Sequence, residues 1–206
     1  MKYLQEYKIF ESKFFTTKEK TQKWIDSLCI KNSIVNGDLT VNVKGNVDIN
    51  GYNLYHIPVQ FGKVDGDFYC CNNELKSLKG CPKYVGGDFE FFNNQLYDLR
   101  YFPENVLERD INHDENNYQI NRRTLNFLSM SHFTQNPIYD FMLLMTYNYI
   151  FGSKIPIFIK YLNEYDVIQG NLIYLDRLKE ALYMIDFDNN FDFKRLNSLK
   201  KYKIID

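Results

Sequence analysis

The sequence predicts an α+β protein: a short solenoid of 21-residue coils, opened by a capping helix and followed by a helical block. Three observations carry this prediction. Gly45, Gly66 and Gly87 stand 21 residues apart and open the blocks "GNVDINGYNLYHIPVQFGKVD", "GDFYCCNNELKSLKGCPKYVG" and "GDFEFFNNQLYDLRYFPENVL". Five apolar columns recur on that period: Val47/Phe68/Phe89, Ile49/Cys70/Phe91, Leu54/Leu75/Leu96, Ile57/Leu78/Leu99 and Val64/Val85/Val106. The apolar rhythm of the remainder is helical.

Each element follows from local chemistry. "TTKEKTQKWIDSLCI" places Thr16 three residues before Glu19, a capping-box spacing, and Trp24, Ile25 and Leu28 on one face, which predicts a helix over 17–28. "SIVNGDLTVNVKG" alternates at Leu39, Val41 and Val43 and predicts a strand or hairpin leading into the first coil. Every block then begins with alternation, Phe68 in, Tyr69 out, Cys70 in and Cys71 out, which is a short strand. Asn72-Asn73 is a turn signal, because asparagine tolerates left-handed backbone and bonds nearby peptide groups. Asn73 and Asn94 are placed to satisfy the buried backbone of stacked turns, and Tyr52 interrupts that column in the first block. Leu75-x-x-Leu78 forms the return leg and "GCP" reverses the chain.

After Val106 the period decays, and "LERDINHDENNYQI" reads as a worn fourth coil with Ile111 shifted by one place. "NPIYDFMLLMTYNYIFG" has Asn136 as cap, Pro137 at the first helical position and Gly152 beyond the end, and its apolar residues run nearly all round, which predicts a buried helix. "SKIPIFIKYLNEYDVI" and "NLIYLDRLKEALYMIDF" read as two more helices, and "DFKRLNSLKKYK" as an amphipathic last one. The predicted organisation is an N-terminal helical cap over 1–36, the solenoid over 37–120 and a C-terminal helical block over 121–206.

Composition narrows the function classes. Of 206 residues 25 are basic and 26 acidic, which argues against a general nucleic-acid or anionic-membrane binder. Residues 32–107 carry six basic and nine acidic side chains, so the repeat region is mildly acidic. "MKYLQEYKIFESKFF" lacks the apolar run of a signal peptide and no stretch is apolar over about 20 residues, so no membrane partner is expected. Cys29, Cys70, Cys71 and Cys81 are then expected to be reduced thiols in a cytoplasm.

No catalytic constellation emerges, and an enzyme is not expected. His56, His113 and His132 lie far apart, and "HDENN" at 113–117 lacks calcium-loop spacing and reads as a polar loop. Cys70, Cys71 and Cys81 lack zinc-type pairing. Cys70 is a core residue, and Cys71, expected to point outward, is the more reactive thiol but has no base placed beside it. "VGGDF" is a coil corner rather than a phosphate loop, so no cofactor or metal is expected. Lys194, Arg195, Lys200, Lys201 and Lys203 are expected on a solvated helix face.

The outward strand face is the candidate site. Stacking the blocks aligns Asn46/Asp67/Asp88, Asp48/Tyr69/Glu90 and Asn50/Cys71/Phe92. Strands about 4.8 Å apart crowd Asp48, Asp67, Asp88 and Glu90 around Tyr69, Cys71 and Phe92. An aromatic anchor in an acidic rim suits a protein partner and repels nucleic acid. The alternatives are a solvated face, or aspartates engaged in the corner turns instead of displayed.

The pattern F-x-C-x-x-N-x-L-x-x-L resembles the leucine-rich repeat, in its short bacterial type. The run "LTVNVKGNVDINGYNLYHIPVQFGKVDGDFYCCNNELKSLKGCPKYVGGDF" and the opening "MKYLQEYKIFES" resemble a family of repeat proteins from tailed bacteriophages and prophages, over residues 20–107. The Val85-to-Phe89 spacing is one residue longer than that pattern, which predicts a wider corner at Gly86-Gly87. The resemblance implies a repeat fold and a phage origin, and brings no catalytic residues. It points to a host or phage protein as partner, in the cytoplasm of an infected bacterium or in the virion. Two alternatives are a structural or packaged virion protein, and an enzyme with a site in the helical block near His113, His132 or Glu164.

Overall fold

The computed structural model describes residues 14–106, 137–148, 154–187 and 191–206. The expected fourth coil over 107–120, with Ile111, His113 and "HDENN", lies outside the described residues, as does His132. The chain is a mixed α+β protein with three small sheets of mostly parallel strands. It divides into two compact units, one holding residues 1–95 and 100–106, the other 96–99 and 107–206.

The first unit opens with helix α1, Lys18–Ser27. Its cap is Thr17 rather than Thr16: the Thr17 hydroxyl accepts from Lys20 N at 3.3 Å. Glu19 is therefore one position too early to close a capping box. Ile25 and Leu28 are buried, and Trp24 lies half-buried with its ring 6.4 Å from that of Phe61. The helix ends where Cys29 turns to φ 55°, with its amide on Asp26 O at 3.0 Å.

Strands β1 (Ser33–Val35) and β2 (Thr40–Val43) form the expected hairpin. Asp38 Oδ1 closes the turn by accepting from Thr40 N at 3.0 Å and Thr40 Oγ1 at 2.7 Å, and these bonds hold its carboxyl below the usual range. The hairpin straddles the expected cap boundary at residue 36, so the cap and the repeat share one sheet. That sheet continues through β4 (Gln60–Val64) and β6 (Tyr84–Val85) in the order β1-β2-β4-β6.

The second sheet holds β3 (Val47–Asp48), β5 (Phe68–Tyr69) and β7 (Phe89–Glu90), parallel and in register at the 21-residue offset. Val47, Phe68 and Phe89 point inward, as do Ile49, Cys70 and Phe91. Leu75 and Leu78 close the core from the return leg of the second block. An aromatic row, Phe61 to Phe68 at 5.2 Å and Phe68 to Phe89 at 5.8 Å, runs through the unit. The asparagine ladder forms between blocks. Asn73 Oδ1 accepts from Leu54 N, and its amide donates to Ile49 O, Cys70 O and Cys71 O. Asn94 repeats this with Leu75 N, Cys70 O, Phe91 O and Phe92 O. The preceding column is the left-handed one, held by Gly51, Asn72 and Asn93 at φ between 53° and 70°.

The second unit is not purely helical, which corrects the expectation for residues 121–206. Helices α2 (Pro137–Asn148), α3 (Lys154–Glu164) and α4 (Leu175–Met184) are present. Between and after them run β8 (Ile168–Gln169), β9 (Leu172–Tyr174) and β10 (Lys203–Ile205), in the sheet order β10-β9-β8. Gly170, at φ 58°, makes the β8–β9 turn. "LIY" is thus a strand before α4, and the basic tail is a 3-10 turn over Phe193–Ser198 plus a strand. Ile138, Phe141, Met142 and Met145 of α2 are buried, but Leu143 is exposed, so α2 is not covered all round. Residues 96–99 belong here: Leu96 O accepts from Ile138 N, Tyr97 O from the Tyr202 hydroxyl and Leu99 O from Asn163 Nδ2.

Candidate functional site

The outward face of β3, β5 and β7 is built by their register. Asp48 pairs with Tyr69 and Tyr69 with Glu90, so these three side chains form one row. Asp48 and Asp88 are exposed, whereas Asp67, Tyr69, Glu90 and Phe92 are half-buried. The acidic side chains do crowd one another. Burial, then the charges of Asp88 and Asp67, raises the Glu90 carboxyl above the usual range. The Tyr69 phenol is pushed up to about 12, first by its hydrogen bond to Asp67, then by burial and the charges of Asp67, Glu90 and Asp88.

Asp67 does more in the corner than on display. Its Oδ1 accepts from Asp88 N at 2.8 Å and its Oδ2 from Asn46 Nδ2 at 3.0 Å. Asn46 Oδ1 in turn accepts from Asp67 N at 3.0 Å, so this column is a second ladder that caps the strand starts. Its side chains lie where a Cβ on the next block's glycine would be: a Cβ on Gly66 would overlap Asn46 Oδ1, and one on Gly87 would overlap Asp67 Oδ1. The ladder thus excludes a Cβ at Gly66 and Gly87, at Gly66 together with the Gly45 backbone, whereas Gly45 is required by its own φ of 143°. The corners are uniform, with Gly66 N on Gly45 O and Gly87 N on Gly66 O, so the longer spacing at Val85–Phe89 is the rule here. Asp48 Oδ1 likewise accepts from Asn50 N at 3.0 Å.

Cys71 is corrected. It is fully buried, not outward. The alternation stops after Cys70 because the chain turns at Asn72, so Cys70 and Cys71 both end inside. Asn50 Oδ1 accepts from Cys71 N at 2.6 Å, and the Cys71 sulfur lies 4.0 Å from Glu90 Oε2. Burial, with nearby Cys70, Glu90 and Asp48, pushes its thiol far up, the reverse of what a nucleophile needs. Cys70 is fully buried too, and its thiol is also raised, by burial and by Cys81. The face that remains is Asp48, Tyr69, Asp88, Glu90 and Phe92.

Two features escaped the sequence reading. On the other sheet, Lys63 bonds Asp65 at 2.8 Å and sits 5.1 Å over the Tyr84 ring. At the first edge, Lys31 and Lys44 flank a groove beside β3. The first could have been read from the column Asn42/Lys63/Tyr84; the second needs the position of the α1 end. Among the described residues no three His, Cys, Asp or Glu side chains converge as a metal site, and no helix is long and apolar enough to cross a membrane. Comparison with family models, with curated proteins and with solved structures finds no match.

Proposed function

We propose that this chain is a phage-encoded repeat protein that binds a partner protein through its exposed strand face. In this reading the three blocks are coils of a short leucine-rich-repeat-like solenoid, with α1 as cap, and the partner is a host or phage protein met in the infected bacterium. The observation that carries the reading is the row Asp48–Tyr69–Glu90, held side by side by the parallel register, with Asp88 exposed beside it and Phe92 half-buried in the neighbouring column. The scaffold beneath is rigid, because the asparagine ladder and the Asn46–Asp67 ladder tie each block to the next. A pre-organised face with an aromatic centre and an acidic rim loses little entropy on docking and selects a basic partner surface.

The test is affinity capture from host lysate, read by mass spectrometry, with wild type beside Tyr69→Ala/Asp88→Lys/Phe92→Ala. A protein retained by wild type and lost by the folded triple variant supports the reading. Equal retention by both removes the site from this face. Recovery of the chain in purified virions, with no captured partner, favours a particle component instead.

A further inference from the structure

β3 is the outer strand of its sheet, and one side of it is open. Val47, Ile49 and Gly51 donate their amides to Asp67 O, Tyr69 O and Cys71 O of the second block. Alternation of the peptide groups then turns those of Asn46 and Asp48 the other way. Asn50 N is taken by the Asp48 side chain, but among the described residues the backbone amides of Asn46 and Asp48 have no acceptor. The other sheet treats its edges differently. β1 folds back over β2, and Asn105 closes β6 by accepting from Val85 N at 2.9 Å and donating to Val85 O at 2.7 Å. β1 is then the outer strand on its side of that sheet, so β3 is one of the chain's strand edges, and the one that carries two unpaired amides beside a groove is a template for strand addition.

The open side is not flat solvent. A groove of about 300 Å³ adjoins it, lined by Leu28, Ile30, Lys31, Lys44, Asn46 and Asp48 among others. Lys31 and Lys44 are exposed and form no ion pair among the described residues. The one carboxylate in the lining, Asp48, accepts from Asn50 N, so the lining carries two lysines against one carboxylate. The groove thus offers unpaired backbone groups, apolar contact at Ile30 and two exposed lysines. We infer that the β3 edge accepts an extended acidic segment of a partner protein as an added strand. Its peptide groups pair with Asn46 and Asp48, and its carboxylates meet Lys31 and Lys44. This inference concerns the edge; it shares Asp48 with the face reading, through the backbone here and the side chain there, whereas Tyr69 and Phe92 do not line the groove.

The probe is a short acetylated and amidated peptide alternating glutamate and valine, titrated to about 1 mM into the full chain. Amide exchange at Asn46 and Asp48 is followed by NMR. The expected result is exchange slowed roughly tenfold or more at both amides, with Lys31→Glu/Lys44→Glu transferring the preference to a lysine–valine peptide. The Tyr69→Ala/Asp88→Lys/Phe92→Ala variant should bind the acidic peptide as wild type does, which separates this site from the face. Unchanged exchange at both amides overturns the inference. So does equal binding of a peptide with alternate amides N-methylated, since charge alone would then explain it. Protection that rises with protein concentration in the absence of peptide also overturns it, by making the edge a contact between copies of this chain.

Discussion

Asn94 shows at single-residue scale how the blocks are joined. It is 1% exposed, and its one amide serves Leu75 N, Cys70 O, Phe91 O and Phe92 O. Replacing it by alanine strands several buried peptide groups at once. Asn94→Ala should therefore cost about 2–4 kcal/mol, read as a lower denaturant midpoint. Tyr69 makes a second prediction through its proton. Its phenol is raised to about 12 in the folded state against about 10 when unfolded. A raised group stabilises the fold below its unfolded value, and that contribution is lost as pH climbs between the two. Spectrophotometric titration should show Tyr69 ionising about two pH units late, beside the raised Tyr202 and Tyr165, and Tyr69→Phe should remove one tyrosine from that late-ionising set. Asn94 was legible in the sequence because its column repeats at a fixed period beside a turn. Cys71 was not, because strand alternation predicts its direction only while the strand lasts, and the turn at Asn72 comes one residue later.

At the scale of the element, the corner explains why two features of the sequence travel together. The glycine that opens a block and the Asn or Asp after it look like separate turn signals. In the fold, the side chain of Asn46 or Asp67 occupies the space above the next block's glycine while it caps the next strand. Gly87→Ala should thus destabilise the protein, and Asp67→Ala should cost a cap of about 1 kcal/mol. The double variant should be less damaged than the sum by about 1 kcal/mol, since removing the carboxylate frees room for the new methyl group. Additive losses in a double-mutant cycle would show that the backbone, and not Asp67, sets the glycine requirement. The C-terminal elements show where reading elements from sequence stops. Leu172, Ile173 and Tyr174 are apolar residues directly preceding a helix, and a three-residue strand has too few positions for its period of two to separate from a helical one. Pairing with Ile168–Gln169 on one side and with Lys203–Ile205, about thirty residues on, on the other makes them a strand.

At the scale of the whole molecule, the boundary between compact units does not follow the repeat period. Leu96–Leu99 is the return leg of the third block by sequence, yet it groups with the second unit. The hydrogen bonds give the reason: Ile138 N, Asn163 Nδ2 and the Tyr202 hydroxyl all end on carbonyls of this stretch. The sequence showed the leucines of this leg but not who receives its carbonyls, because those partners lie in helices and strands outside the period. The core of the second unit includes Phe158, fully buried with its ring stacked 6.4 Å from Phe141. Phe158→Ala should cost about 3–5 kcal/mol and loosen that unit as a whole. Hydrogen exchange in the variant should accelerate at the α3 amides and at 96–99 together. The amides of Phe68 and Cys70, bonded to Asp88 O and Glu90 O inside the first unit, should keep their protection. If 96–99 instead stays protected with Phe68 and Cys70, the third return leg belongs energetically to the repeat, and the cooperative boundary lies after Val106.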